Sequence, residues 1–265
     1  MSFVETESHS GVHVIRLNRP ERLNALGQQM ISEFRAALEA FGASDHDVGV
    51  VTGTGRAFCV GEDLKETGER GVPDDPRFHG HDPYGILAID KPLIAAVNGF
   101  AMGGGFMLVA DCDLRVSVPD AIYEASEVKR WHLGGFSHGH AANLPLALTT
   151  ELAFGFRVDA RRLHHAGFLN RLAEPDRLLD SALDMAYQLL RLPPAARQNT
   201  VRMVRAMRPR VPPRLERFAD RLREHGAAAD LVESRRAFVE KREPAYIGWD
   251  DPEDRRRGPV LEHED

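Results

Sequence analysis

The chain has 265 residues, enough to bury a sizeable core as one large domain or two small ones. Its 43% hydrophobic and 28% charged residues are an ordinary globular balance, and a net charge of -6 excludes a nucleic-acid partner drawn in by a global basic field. Two distant cysteines, Cys59 and Cys112, lack metal-ligand spacing and fit a reduced, cytoplasmic compartment; Glu5 and Glu7, with no apolar run beside them, give no sign of a signal peptide.

Residues 13–17 alternate apolar and polar side chains, which predicts a strand ended by Asn18-Arg19-Pro20. Leu26, Met30, Phe34, Leu38 and Phe41 recur every three or four positions and predict an amphipathic helix stopped by Gly42. Residues 48–52 form a short apolar strand, residues 53–65 a glycine-containing loop, and residues 66–83 a mobile surface loop or irregular helix rich in Gly, Pro, Asp and His. In residues 92–110 Asn98 is the only clearly polar side chain, yet four glycines interrupt the run. It reads as a buried strand at 93–97, a glycine turn and a buried helix. No second such segment exists, so no membrane span is expected. Residues 114–118 are a fourth strand. Strands alternating with helices predict an α/β core with a largely parallel sheet.

After about residue 145 the pattern becomes helical. Apolar stripes predict helices over residues 178–190, 201–207, 215–225 and 228–241, with Pro209, Pro212 and Pro213 as breaks. The expected organisation is a core over 1–190, a helical C-terminal region over 191–249 and a charged, disordered tail over 250–265.

Three glycine motifs compete for the chemistry. Gly53-Thr54-Gly55 begins like a dinucleotide fingerprint, but Phe58 occupies the third glycine position. Residues 135–139 read G-x-S-x-G around Ser137, with Asp159, His164 and His165 following, as in a serine hydrolase; residues 127–132 make a poor buried strand before it. The third candidate pairs Gly61-Glu62-Asp63-Leu64-Lys65 with Asn98-Gly99-Phe100-Ala101-Met102-Gly103-Gly104-Gly105. Each follows a strand, and two such loops could aim two backbone N–H groups at one carbonyl oxygen. Tight packing at two turns accounts for the same glycines.

The run from Phe58 to Glu66 resembles the loop of the crotonase (enoyl-CoA hydratase/isomerase) superfamily. Residues 91–105 are similar to that family's second signature, Asn18-Arg19-Pro20 with Leu23-Asn24-Ala25-Leu26 to its N-terminal motif, and residues 237–242 to its C-terminal one. The resemblance runs in order over nearly the whole chain. It implies a spiral of ββα units, a helical trimerisation region giving a homotrimer or dimer of trimers, and a coenzyme A thioester substrate with no separate cofactor and no metal. It places the backbone N–H groups of Glu62 and Gly104 at the oxyanion hole, and Arg22, Leu23, Asp63 and Leu64 near the CoA-binding segments. Lys241 matches a lysine that reaches a CoA phosphate, often across a subunit boundary.

The departures narrow the chemistry. Hydratases of the family use two glutamates around one water; the first position holds Met107 here, and the second matches Glu127. A thioether cannot deprotonate water, whereas one carboxylate suffices to move a proton from C2 to C4 in double-bond migration. The glycine-rich segment after the second glutamate is also altered, to residues 133–140 with His138 and His140. Asp111, read as a helix-end charge, Glu124, read as a solvated side chain, and His132, His138 and His140 are candidates for a missing second group. His79 with His81, and His138 with His140, have H-x-H spacing but no third ligand. A serine hydrolase acting through Ser137 and a non-catalytic acyl-CoA-binding homologue are the alternatives.

Overall fold

The structure, a computed structural model, describes residues 2–70, 82–130 and 133–261. The chain enters through a hairpin. Strand β1 (Val4–His9) pairs antiparallel with β2 (Val12–Leu17), and Ser10 and Gly11 turn between them with φ of 46° and 89°. Two positive φ values in a two-residue turn match the twist of a hairpin. Sequence reading missed β1 because its middle is Glu-Thr-Glu-Ser, all exposed on a sheet edge, so it has no apolar alternation.

Beside β2 lie β3 (Val48–Gly53), β5 (Leu93–Val97), β7 (Leu114–Ser117) and β10 (Arg171–Leu172), all parallel, in the order β1-β2-β3-β5-β7-β10. Every residue of β3 and β5 is buried, so these runs are continuously apolar rather than alternating, as in sheets covered on both faces. A second sheet holds β4 (Ala57–Cys59), β6 (Phe100–Met102) and β8 (Ile122–Glu124) in parallel, with β9 (Val158–Asp159) antiparallel at its edge. Each of three turns of chain gives a strand to the first sheet, a short strand to the second, and then a helix. The helices are α2 (Leu64–Arg70), α3 (Gly104–Asp111) and, after a 3-10 turn, α4 (Gly135–Ala141). This is the expected crotonase-type α/β spiral. The strand β4 falls in what reads as a loop, because three residues are too few to show a period.

The core lies between the sheets and their helices. Helix α1 (Gln28–Ala43) buries Met30, Ile31, Phe34, Leu38 and Phe41, the predicted stripe with Ile31 added. Further on come α5 (Leu146–Ala153) and α6 (Ala160–His165). Then α7 (Leu178–Leu190) packs Leu178, Ala182, Leu183, Met185 and Ala186 into the core. Outside it run α8 (Pro194–Ala206), α9 (Pro213–Arg223) and α10 (Ala228–Glu240). Of the charged tail expected to be disordered, Pro252–Arg256 forms a 3-10 helix whose first turn is capped by Asp251. Local capping there offsets a composition that offers little to bury. Among the described residues no helix is long and apolar enough to cross a membrane.

Two arginines fasten α8 to the core. Arg205 donates to both carboxylate oxygens of Asp113 at 2.8 and 2.6 Å and to the carbonyls of Ile86 and Ile89. Arg208 donates to the carbonyls of Asp111 and Cys112 at 2.9 and 3.0 Å, and Arg115 to those of Val109, Ala110 and Cys112. The guanidiniums of Arg208 and Arg115 thus sit at the C-terminal end of α3, where the helix dipole favours cations. Because Arg205 and Asp113 are largely buried, Arg205→Ala removes the two-pronged partner of an internal carboxylate, which keeps only Arg208 Nη2 at 3.3 Å and the Leu93 N–H at 2.9 Å. It should cost about 1.5–3 kcal/mol in urea-unfolding free energy, the worth of hydrogen bonds to a charged group; a loss under about 0.5 kcal/mol would show that the pair is not a structural clamp.

Candidate active site

The site is built where the ends of β4 and β6 come together. Gly61, at φ +79°, lies so close to the neighbouring turn that a Cβ on it would sit 2.8 Å from the Met102 carbonyl and 2.9 Å from the Gly104 nitrogen. A Cβ on Gly105 would overlap the Cys59 carbonyl. Glycine at these positions lets two backbones touch. Leu26 bridges to Glu62 in parallel register: its N–H donates to the Gly61 carbonyl at 2.7 Å, and its carbonyl accepts from the Asp63 N–H at 3.2 Å. That pattern skips Glu62. Among the described residues neither the Glu62 N–H nor the Gly104 N–H, the first of α3, has a hydrogen-bond partner. Two adjacent free N–H groups, one at the positive end of a helix, can hold a carbonyl oxygen as it gains charge.

Two asparagines lock these loops. Asn24, fully buried, donates to the carbonyls of Thr54, Ala57 and Phe58 and accepts from the Arg19 N–H. Asn98 donates to the carbonyls of Gly55 and Ala57 and accepts from the Gly53 N–H. The Gly53-Thr54-Gly55 motif thus serves packing: a Cβ on Gly53 would come within 2.5 Å of the Ala57 carbonyl.

A cavity of about 700 Å³ opens over the two N–H groups. It brings together most of the expected residues: Arg22, Leu23, Glu62, Asp63, Leu64, Gly104 and Glu127 all line it, and Lys65 and Arg56 add cations. Asp63 lines the cavity with its carboxylate committed to neighbouring groups. It is 4% exposed, accepts from Arg19 Nη1 at 2.8 Å and Arg22 Nη2 at 3.4 Å, and caps the start of α2 through the N–H groups of Lys65 and Glu66. Arg19 in this network was missed because it reads as a turn residue. Lys241 lies apart. It ends α10 in a left-handed conformation, exposed and off the cavity, although Phe238 of the same helix lines it.

The carboxylates divide into committed and free. Glu124 is not the solvated side chain expected: it is 4% exposed and bonded by Ser126 Oγ at 2.6 Å, Arg157 Nε at 3.0 Å and Lys129 Nζ at 3.1 Å. Burial alone would push its carboxyl up, but these partners outweigh burial and hold it below the ordinary value. Glu127 opens a 3-10 turn (Glu127–Arg130). Its Oε1 lies 3.5 Å from where a Cβ on Gly103 would stand, and its Oε2 is buried with no hydrogen-bond partner among the described residues. Met107, one turn along α3 from Gly103, packs partly buried against the core. Tyr84, which sequence reading did not single out, lays its hydroxyl where a Cβ of Gly104 would be.

Ser137 does not sit on a strand-to-helix elbow. It lies inside α4, after a 3-10 turn, with Oγ donating to the Gly134 carbonyl at 2.9 Å; Asp159 caps α6 instead of joining a triad. His138 and His140 diverge, the first toward Glu127 and the second toward the Arg210 carbonyl. No group of three or more metal-capable side chains occurs among the described residues. His79, His81 and His132 lie outside those residues.

Asp111 ends α3 behind the site and does not line the cavity. Burial pushes its carboxyl up to about 7, against the pull of Arg208 and with the help of Asp82. The folded chain therefore keeps this proton where an unfolded one, near 3.8, has released it. The group's contribution to stability is complete below pH 3.8 and is lost as pH rises to about 7. Asp111→Asn should flatten the fall in urea midpoint across that window and be the more stable protein at alkaline pH. An unchanged slope would contradict the assignment.

The sequence profile of the Enoyl-CoA hydratase/isomerase family matches residues 7–249. A protein of Dictyostelium discoideum named "Probable enoyl-CoA hydratase, mitochondrial" is 32% identical over 260 residues, covering 91% of this chain and 89% of that protein. A "Probable enoyl-CoA hydratase" of Rhizobium meliloti is 34% identical over 257 residues, covering 92% and 96%. The crystal structure of carnitinyl-CoA hydratase from Mycobacterium avium superposes with a TM-score of 0.79 at 28% identity, covering 93% of this chain and 99% of that one.

Proposed function

The chain belongs to the enoyl-CoA hydratase/isomerase family and acts on acyl-CoA thioesters; from that premise we propose that it moves a proton along an enoyl-CoA whose thioester oxygen rests on the N–H groups of Glu62 and Gly104. One observation carries this reading. Glu127 sets its carboxylate against the Gly103–Gly104 turn with Oε2 unpartnered among the described residues, while the companion position holds Met107. Removal of a C2 or C4 proton leaves an electron pair that spreads onto the thioester oxygen, where the two N–H groups and the α3 dipole stabilise it. Glu127 takes the proton from one carbon and returns it to the other, so the 3-enoyl to 2-enoyl isomerisation balances with no water and no second acid. Hydration is the second reading, favoured by the names of the relatives; it needs a base for water and a proton for C2.

Arg22, Arg56 and Lys65 line the mouth of the cavity and are suited to the phosphates of CoA, with Leu23 and Leu64 against its apolar parts. Lys241 is assigned to a phosphate of the CoA held by a neighbouring subunit. Leu146, Phe154, Met207 and Ile247 are strongly exposed, as suits a C-terminal half that packs against further copies in a trimer or a dimer of trimers. Two buried free thiols suit a cytoplasmic enzyme.

Wild type, Glu127→Gln and Met107→Glu are to be assayed with 3-enoyl-CoA for isomerisation and 2-enoyl-CoA for hydration. Glu127→Gln should lose about 10²–10⁴-fold in turnover with CoA binding intact, and Met107→Glu should gain hydration. Hydration that is robust in wild type and survives in Glu127→Gln would show that another group transfers the proton. Light scattering should find a trimer or hexamer; a monomer at micromolar concentration would sink the assembly.

A further inference from the structure

Glu127 has a neighbour that the proton transfer just described does not use. Glu127 Oε2 and His138 Nδ1 are both buried without a hydrogen-bond partner among the described residues, and the other atoms of the two groups face each other, His138 Nε2 standing 3.5 Å from Glu127 Oε1. His138 comes from α4, only 6% exposed, with its ring stacked on Phe106 at 6.2 Å between centroids and 25° between planes. Phe106 is two residues beyond Gly104 on α3, so the imidazole spans from the helix that presents the free N–H to the carboxylate beside it. Glycines draw α4 this close. A Cβ on Gly134 would stand 3.0 Å from Glu127 Cγ, one on Gly135 3.1 Å from the Ala125 methyl, and one on Gly139 2.8 Å from Thr149 Cα. Burial pushes the His138 ring below its ordinary value, and Glu127 pulls it back only in part, which favours the neutral ring with a single N–H.

We infer that His138 is the positioning residue of Glu127: its neutral ring offers Nε2–H to Glu127 Oε1 and holds the carboxylate against the Gly103–Gly104 turn. A neutral donor steadies a base without cancelling its charge, whereas an imidazolium would make Glu127 a poorer proton acceptor. The same hydrogen bond fixes rotation about the last side-chain bond of Glu127, so the carboxylate meets C2 and C4 in one orientation. His138 lies in the segment that departs from the family's glycine-rich pattern. A chain with Met107 where its relatives by resemblance have a carboxylate thus has an imidazole behind the carboxylate it keeps.

The inference rests on the proton-transfer reading of the site, so its test separates the two. Exchange of the C2 hydrogens of a saturated acyl-CoA in D2O reads proton abstraction alone, and calorimetry with the same thioester reads binding. In His138→Phe the ring still stacks on Phe106 but the N–H is gone; in His138→Gln a side-chain N–H remains. Exchange in His138→Phe should fall about 10- to 100-fold, the worth of one hydrogen bond to a charged group, with the Kd unchanged. His138→Gln should recover most of it, and the exposed neighbour His140→Gln should exchange like wild type. Imidazole 15N shifts should show His138 neutral with the proton on Nε2, and that resonance should move in Glu127→Gln. Wild-type exchange in His138→Phe, no recovery in His138→Gln, or a proton on Nδ1 would each overturn the assignment. Absence of C2 exchange in wild type itself would overturn the proton-transfer reading, and this inference with it.

Discussion

Everything at the site depends on two stretches of main chain lying in contact. Gly61 meets the Met102–Gly104 backbone and Gly105 meets the Cys59 carbonyl, with no side chain between them. That approach leaves the N–H groups of Glu62 and Gly104 adjacent and without hydrogen-bond partners among the described residues. A methyl group at either glycine would force the loops apart, and Gly61 also needs the left-handed backbone that other residues adopt at a cost. The surrounding polar atoms serve this contact. Asn24 and Asn98 spend their amide hydrogens on carbonyls of residues 54–58, and the Leu26 bridge sets the register of the Gly61 loop.

The charges near the cavity are sorted by partner. Asp63 and Glu124 are buried carboxylates satisfied by arginine and by N–H or O–H donors, so they hold structure. Glu127 differs from them in keeping one oxygen with no hydrogen-bond partner among the described residues.

Much of this was legible in the sequence. The buried strands β3, β5 and β7 and the helix α3 announce themselves because apolar runs between glycines admit few other folds. The two free N–H groups were legible only through resemblance, since the same glycines would serve a tight turn. Strands β4, β6 and β8 were not legible, being three residues long and defined by partners far along the chain. Glu124 reads as a surface acid because Arg157 and Lys129, which allow it to be buried, announce nothing by spacing. His138 stood among three histidines near Glu127, and only the packing of α4 on α3 chooses between it and His140.

The arginine clamp at the far end of α3 also has a consequence for synthesis. The first N–H of that helix faces the cavity, yet its last carbonyls are closed by Arg208, almost a hundred residues later, and Arg205 closes the neighbouring loop at Ile86 and Ile89. A nascent chain paused on the ribosome between residues 127 and 205 would have both glycine turns, Glu127 and the local bonds of Arg115, but not the fastening that Arg205 and Arg208 add behind them. The site is thus finished near the end of translation, and a truncated product would keep every residue of the chemistry while lacking the frame that holds it.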